Sequence, residues 1–255
     1  MKLLSIVIPA YNEERFLGTL LQRIQGVDLT PIGLAIEIIV VDDCSRDRTS
    51  EIARSMPGVI VERHQKNSGK GTAVRTGIAR STGDFLIIQD ADLEYEPQDY
   101  LPMLNALLSH RGDIVYGSRY LGRGVLGGKY GPQTWGAYLG GRSLSLVALA
   151  CTGHYVTDTV TALKLFPRKV LLALNLETTG FELDHEITAK VLARGYRIVE
   201  VPIRYFPRSR EEGKKIGLRD WFIGARTFWR YRRGRYRNSL SGSGGSLDPP
   251  NERRV

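Results

Sequence analysis

Residues 85–92 read Phe85-Leu86-Ile87-Ile88-Gln89-Asp90-Ala91-Asp92, an unbroken apolar run that ends on two carboxylates one residue apart. A strand buried on both faces reads as a continuous apolar run, whereas one solvated face brings alternation. Residues 85–89 are therefore expected as an interior strand that delivers Asp90 to the edge of a sheet. The same pattern recurs upstream. Residues 3–9 form an apolar run ended by Pro9, residues 36–41 a β-branched run entering Asp42-Asp43, and residues 59–62 a shorter strand. Helical segments lie between them. Asn12 is a candidate N-cap, with Glu13 and Glu14 favourable in a first turn, and Phe16, Leu17, Leu20, Leu21 and Ile24 recur at helical spacing. Further helices are expected over 48–55, 69–80 and 97–109, with a strand over 113–116. This alternation predicts an α/β, Rossmann-like, mostly parallel sheet with helices on both faces. Such sheets bind ligands outside the carboxyl ends of their strands. Tyr11-Asn12-Glu13, Asp42-Asp43 and Asp90-Ala91-Asp92 stand at three of those ends.

Toward the C-terminus, the Gly-rich residues 120–141 read as a loop leading into a helix over 135–150. A strand over 160–166, a helix over 181–194 and a strand over 198–201 follow. Residues 238–255 are Ser/Gly/Pro-rich and expected to be disordered. A chain of 255 residues can bury one large core, or one core with a small appendage. Cys44 and Cys151 exclude a disulfide framework and fit a reducing compartment, each read as a small buried hydrophobe. The N-terminal apolar run is too short for a signal peptide, and no stretch approaches the roughly 20 apolar residues that cross a bilayer. The net charge is +9, and residues 204–237 hold 12 Lys/Arg against 3 Asp/Glu, so the charges elsewhere cancel. That asymmetry points to an anionic partner: a lipid surface, a phosphate-bearing substrate or nucleic acid.

Asp90, Asp92 and Glu94 put three carboxylates on one strand-exit loop, an arrangement that favours a compensating cation. Oxygen ligands suit Mg²⁺ or Mn²⁺, which also bind diphosphate oxygens, and such an ion neutralises charge on a leaving nucleoside diphosphate.

Val7-Ile8-Pro9-Ala10-Tyr11-Asn12-Glu13-Glu14, Val40-Val41-Asp42-Asp43-Cys44-Ser45-Arg46-Asp47-Arg48-Thr49, Asn67-Ser68-Gly69-Lys70-Gly71 and Gln89-Asp90-Ala91-Asp92 together resemble the successive signatures of the GT-A-fold family 2 glycosyltransferases, most of all the dolichyl-phosphate mannose synthase-like branch. The resemblance implies a metal-dependent hexosyltransferase with a catalytic domain over 1–219. It implies that Pro9, Tyr11 and Glu13 line the nucleotide pocket, that Asp42 and Asp43 contact base and ribose, and that Asn67, Gly69 and Lys70 form a loop beside the nucleotide. Asp90, Asp92 and Glu94 match the metal-binding triplet, whose third member is often glutamine. Arg119, in Gly117-Ser118-Arg119-Tyr120, and Arg142 match arginines that face an acceptor phosphate. Asp158 resembles an aspartate preceding a Thr/Ser-Gly-Phe turn, although Ala162-Leu163 stands where Gly-Phe is usual. Arg208 and Lys214 match a late basic motif that closes over the diphosphate, so Asp92, Arg208, Lys214 and Asp158 are the expected catalytic group.

Residues 220–237 read as an amphipathic helix, with Trp221, Ala225, Phe228 and Trp229 on one stripe and Arg226, Arg230 and Arg233 on another. Such a helix suits the headgroup layer of an anionic bilayer; packing against the catalytic domain is the other reading. The resemblance implies a donor such as GDP-mannose or UDP-glucose and a polyprenyl phosphate acceptor. A peripheral location on the cytoplasmic face of a membrane is expected, with no nucleic acid. A phosphate acceptor is already ionised near neutral pH, so no histidine is nominated, and His154 and His185 are read as structural. Transfer to a soluble or saccharide acceptor, a non-catalytic nucleotide-sugar-binding protein and a nucleotidyltransferase are the alternatives.

Overall fold

The computed structural model describes residues 1–121, 135–208 and 218–232. In chain order the elements are β1 (Lys2–Ala10), α1 (Leu17–Gln25), β2 (Leu34–Asp42), α2 (Thr49–Ser55), β3 (Val59–Arg63), α3 (Lys70–Arg80), β4 (Phe85–Ile88) and α4 (Tyr100–Leu108). Then come β5 (Ile114–Ser118), α5 (Trp135–Thr152), β6 (Lys164–Pro167), α6 (Arg168–Ala173), α7 (Leu183–Ala193), β7 (Ile198–Pro202) and α8 (Leu218–Arg230). The seven strands form one sheet in the order β3-β2-β1-β4-β6-β5-β7. The β1–β2, β1–β4, β2–β3 and β5–β7 pairs are parallel.

The apolar runs are continuous because both faces of the sheet are covered. Leu4, Ile6 and Ile8 of β1 and Phe85 and Ile87 of β4 pack with α1 and α4. Their alternates Val7, Leu86 and Ile88 pack on the other side with Val74 and Ile78 of α3 and Ile187 and Val191 of α7. Successive strand side chains point to opposite faces, so each strand feeds both cores. Helix α3 comes so close to β1 that a Cβ at Gly77 would overlap the Val7 side chain.

Four expectations are corrected. Asn12 does not cap α1: it sits at φ 56° and its Oδ1 accepts the Arg46 amide at 2.9 Å, so the helix begins only at Leu17. The strand expected over 160–166 is confined to Lys164–Pro167 and runs antiparallel to β4 and β5. Neither cysteine is fully buried: Cys44 is a partly exposed residue in a left-handed turn, φ 64°, and Cys151 is partly buried. In α8, Phe228 is fully buried, and the Trp221 indole N–H donates to Ser143 Oγ at 2.8 Å. Gly224, Thr227, Phe228 and Tyr231 face the protein, and Phe222, Arg226, Trp229 and Arg230 face outward. The aromatic stripe is thus split between the two sides of the helix. Arg233 and the expected tail over 238–255 lie outside the described residues, as does most of the Gly-rich loop. Among the described residues, no helix is long and apolar enough to cross a membrane.

The reversal of β6 matters for the site. Lys164, its first residue, pairs with Ile88 and Tyr116 near the carboxyl ends of β4 and β5. The segment before β6, which carries Asp158, therefore arrives at the same edge as the acidic loops.

Candidate active site

The exits of β1, β2 and β4 each contain a non-glycine residue with left-handed backbone: Asn12 at φ 56°, Cys44 at φ 64° and Leu93 at φ 60°. Asparagine tolerates this region, whereas leucine adopts it only where its surroundings enforce it. Two further such residues, His110 and Asn175, lie elsewhere among the described residues, so of the three at this edge Leu93 is the one that calls for an enforcing environment.

Asp42, the last residue of β2, and Asp43 after it are both buried. Asp42 Oδ1 accepts the Ser45 amide at 2.8 Å. Its Oδ2 accepts no hydrogen bond, with Arg63 Nε 3.1 Å away but poorly directed. Asp43 has both oxygens engaged within the chain: Oδ1 accepts Ser68 N at 2.8 Å, Oδ2 accepts Gly69 N at 2.7 Å, and His64 Nδ1 lies 2.7 Å from Oδ1. Asp43 thus pins the loop before α3, in which Gly69 adopts φ 92°. Pro9 is partly buried, Tyr11 and Asn67 are exposed, and Glu13 is partly buried at the same edge.

Around Asp90-Ala91-Asp92 the charges alternate in sign. Lys70 Nζ lies 2.8 Å from Asp90 Oδ1 and 3.3 Å from Asp184 Oδ2, and Lys164 Nζ is 2.8 Å from Asp184 Oδ1. Burial opposes the ionisation of Asp184, but Lys164 and Lys70 outweigh it and hold its carboxyl down to about 2. Arg208 Nη2 lies 2.9 Å from Asp92 Oδ2, and Arg208 Nη1 3.4 Å from Glu13 Oε2. Burial pushes the Asp92 carboxyl up to about 7, helped by the charges of Asp90 and Glu94 and opposed by Arg208.

Glu94, expected as a third metal ligand, is used otherwise. Its Oε2 accepts Tyr205 Oη at 2.6 Å and its Oε1 accepts the Arg208 amide at 2.8 Å. Among the described residues, no group of three or more His, Cys, Asp or Glu side chains is arranged to hold a metal. Asp90 and Asp92 nevertheless fit a hard divalent cation. They are hard oxygen donors, and Mg²⁺ commonly takes one or two carboxylates and completes its shell with phosphate oxygens and water; to hold it they would exchange the Lys70 and Arg208 contacts that compensate them here.

On the other side of Tyr205 lies a second basic group. Arg119 forms a bidentate pair with the fully buried Asp158, Nε–Oδ2 2.7 Å and Nη2–Oδ1 2.8 Å, and its backbone amide donates to Oδ2 at 3.1 Å. Burial works against the Arg119 charge, yet Asp158 raises its pKa well above the ordinary value. The Arg119 guanidinium lies 5.0 Å from the Tyr205 ring centre and 5.9 Å from that of Tyr120. Arg142 sits 5.5 Å from the same Tyr120 ring and 5.7 Å from Tyr155. Tyr120 therefore holds the two expected arginines in one cluster, and Tyr205 joins it to the acidic loop. Lys214 lies outside the described residues.

Tyr205, Tyr120, Lys164 and Asp184 were not among the expected site residues. Lys164 had a signal, a single charge within the apolar run Leu163-Lys164-Leu165-Phe166. Tyr120 stood beside Arg119 in the quoted stretch without a role of its own, and Tyr205 had no signal, because its partner Glu94 is distant in sequence.

Residues 5–171 match the family described as Glycosyl transferase family 2. A dolichol-phosphate mannosyltransferase of Pyrococcus furiosus is 34% identical over 223 residues, covering 84% of this chain; the chain spans only 59% of that relative's length. A dolichyl-phosphate hexose transferase of Haloferax volcanii is 34% identical over 209 residues, 82% of this chain and 85% of that protein. Among solved structures, glucosyl-3-phosphoglycerate synthase from Mycobacterium tuberculosis, in complex with Mn²⁺, UDP and glucosyl-3-phosphoglycerate, superposes with a TM-score of 0.63. At 19% identity, with 98% of this chain and 82% of that chain covered, it is a likeness of fold.

Proposed function

Since the chain belongs to glycosyl transferase family 2, we propose that it moves a hexose from a nucleoside-diphosphate sugar to a polyprenyl phosphate, with inversion at the anomeric carbon. The observation that carries this reading is the Arg119–Tyr120–Arg142 cluster beside the acidic loop. Guanidinium forks bind phosphate oxygens bidentately, and Asp158 orients one of them in advance. Asp158 in this reading is a positioning residue. The names of the Pyrococcus and Haloferax relatives support a dolichyl-type acceptor.

The nucleotide lies over the β1 and β2 ends, against Pro9, Tyr11, Glu13 and Asp42, with Asn67, Gly69 and Lys70 along the diphosphate. Asp90 and Asp92 would hold Mg²⁺ or Mn²⁺, which would supply positive charge for the diphosphate. Arg208 and Lys214 add charge on the leaving group. An acceptor phosphate oxygen attacks the anomeric carbon as the bond from that carbon to the diphosphate oxygen breaks, and the nucleoside diphosphate departs with the electron pair. The acceptor is already anionic, so no protein base is required. GDP-mannose and UDP-glucose are the donors to test first. Outward-facing Phe222, Arg226, Trp229 and Arg230 on α8 support contact with an anionic membrane surface, and the cytoplasmic face is the side this reading assigns.

The test is a panel of nucleotide sugars offered with polyprenyl phosphate in vesicles and Mg²⁺ or Mn²⁺. A glycolipid from one donor, abolished by chelation, is the expected result. Sugar appearing on a soluble acceptor instead would favour the runner-up.

A further inference from the structure

Glu186 on α7 has no part in the chemistry above, yet its fully buried carboxylate is densely bonded. It accepts the backbone amides of Glu177 and Thr178, each at 2.9 Å, and the Thr178 hydroxyl at 2.5 Å. Lys190 Nζ lies 2.6 Å away. A second acid fastens the far end of the same turn, as Gly180 N donates to Glu182 Oε1 at 3.1 Å. Residues 177–180 are thereby fixed to the start of α7.

The other side of that turn rests on the loop that presents Lys70. Thr72 N donates to Thr179 O at 3.2 Å. A Cβ at Gly71 would stand 2.7 Å from Thr178 O and 2.9 Å from Gly180 O, and one at Gly69 would overlap Thr179 O. Backbone meets backbone here, so both glycines are required and neither segment shifts without the other. Lys70 lies between those glycines, reaching Asp90 and Asp184. Asp43 holds the opposite side of the loop through Ser68 N and Gly69 N. The loop is thus gripped between two acids, one directly and one through the 177–180 turn.

We propose that Glu186 is a positioning residue for the donor: by locking the 177–180 turn it sets the place of Lys70 and the 67–71 loop, and so the affinity for the nucleoside diphosphate. This rests on the reading of residues 67–71 as the donor loop. A loop ordered before binding spares the complex the entropy of ordering it, so loosening the clamp weakens the nucleotide without touching it.

Calorimetric titration of GDP and UDP, with Mg²⁺ or Mn²⁺, into wild type, Glu186→Gln, Thr178→Val, Lys70→Ala and the Glu186→Gln/Lys70→Ala double variant tests this, alongside melting curves. Glu186→Gln is expected to weaken nucleotide binding about tenfold, and Thr178→Val to weaken it less. The KM for polyprenyl phosphate should be unchanged, and the double variant should bind no worse than Lys70→Ala alone, because the two act as one unit. Thr178→Val keeps the question open to measurement if Glu186→Gln does not fold. Nucleotide affinity at the wild-type level in Glu186→Gln or Thr178→Val, with only the melting temperature lowered, would overturn the proposal alone. Absence of nucleotide binding by the wild type would overturn the donor-loop reading and this proposal with it.

Discussion

Asp92 carries opposing demands in one side chain. Burial and two neighbouring acids drive its carboxyl up to about 7, while Arg208 stands 2.9 Å from it. Asp92→Asn removes the charge and keeps the shape. It should lower divalent-dependent turnover by roughly 10²-fold or more with the melting temperature unchanged or raised; turnover near wild type would take Asp92 out of the mechanism. Arg119→Lys keeps a charge but loses the bidentate fork on Asp158. The KM for the phosphate acceptor should rise while the donor KM holds, since Lys cannot reproduce a fork; initial rates against each substrate check this. Asp90-Ala91-Asp92 stood out in the sequence as like charges after an apolar run, but their compensation within the chain by Lys70 and Arg208 left no such mark. The fates of Glu94 and Asp43 were not legible either. Tyr205, which takes Glu94, is 111 positions away, and the amides that take Asp43 are brought to it only by tertiary packing.

Helix α8 shows what periodicity does and does not disclose. Its existence was readable from the spacing of its aromatics, but not which of them face protein, because an apolar face suits protein and lipid alike. His185 on α7 meets its buried side: the Phe228 ring lies 5.3 Å away, and a Cβ at Gly224 would stand 2.7 Å from His185 Nε2. Burial lowers the His185 pKa to about 4, with Lys164 and Lys70 adding to the effect and Asp184 opposing it. The folded state therefore binds this proton more weakly than the unfolded chain. Its contribution is full above pH 6.5, the ordinary histidine value, and is lost as pH falls toward 4, on the order of 3 kcal/mol in all. Urea melts of wild type and His185→Gln across that window should converge as pH falls; a constant difference would contradict the assignment. Phe228→Ala should destabilise by about 3–5 kcal/mol in the same assay. Replacing the exposed Phe222 and Trp229 with alanine should leave stability nearly unchanged and weaken sedimentation with anionic vesicles.

Over the whole molecule, the parallel half of the sheet followed from continuous apolar runs, each ending in polar residues at the carboxyl edge. The reversal of β6 did not, because strand direction leaves no trace in hydrophobic pattern. That reversal brings Asp158 and Lys164 to the edge where β4 delivers Asp90, so the groups proposed for donor and acceptor share one rim. The charge asymmetry was legible in full, since it is a property of composition along the chain. The central claim is that a sugar crosses this rim onto a lipid phosphate. Mass spectrometry and NMR of the lipid product, formed from an isotope-labelled nucleotide sugar and polyprenyl phosphate with Mg²⁺ or Mn²⁺, test it most directly. A hexose joined through its anomeric carbon to the lipid phosphate, in the anomeric configuration opposite to the donor's, is predicted. Label recovered only as free sugar or on a saccharide hydroxyl, with the lipid phosphate unmodified, would contradict it.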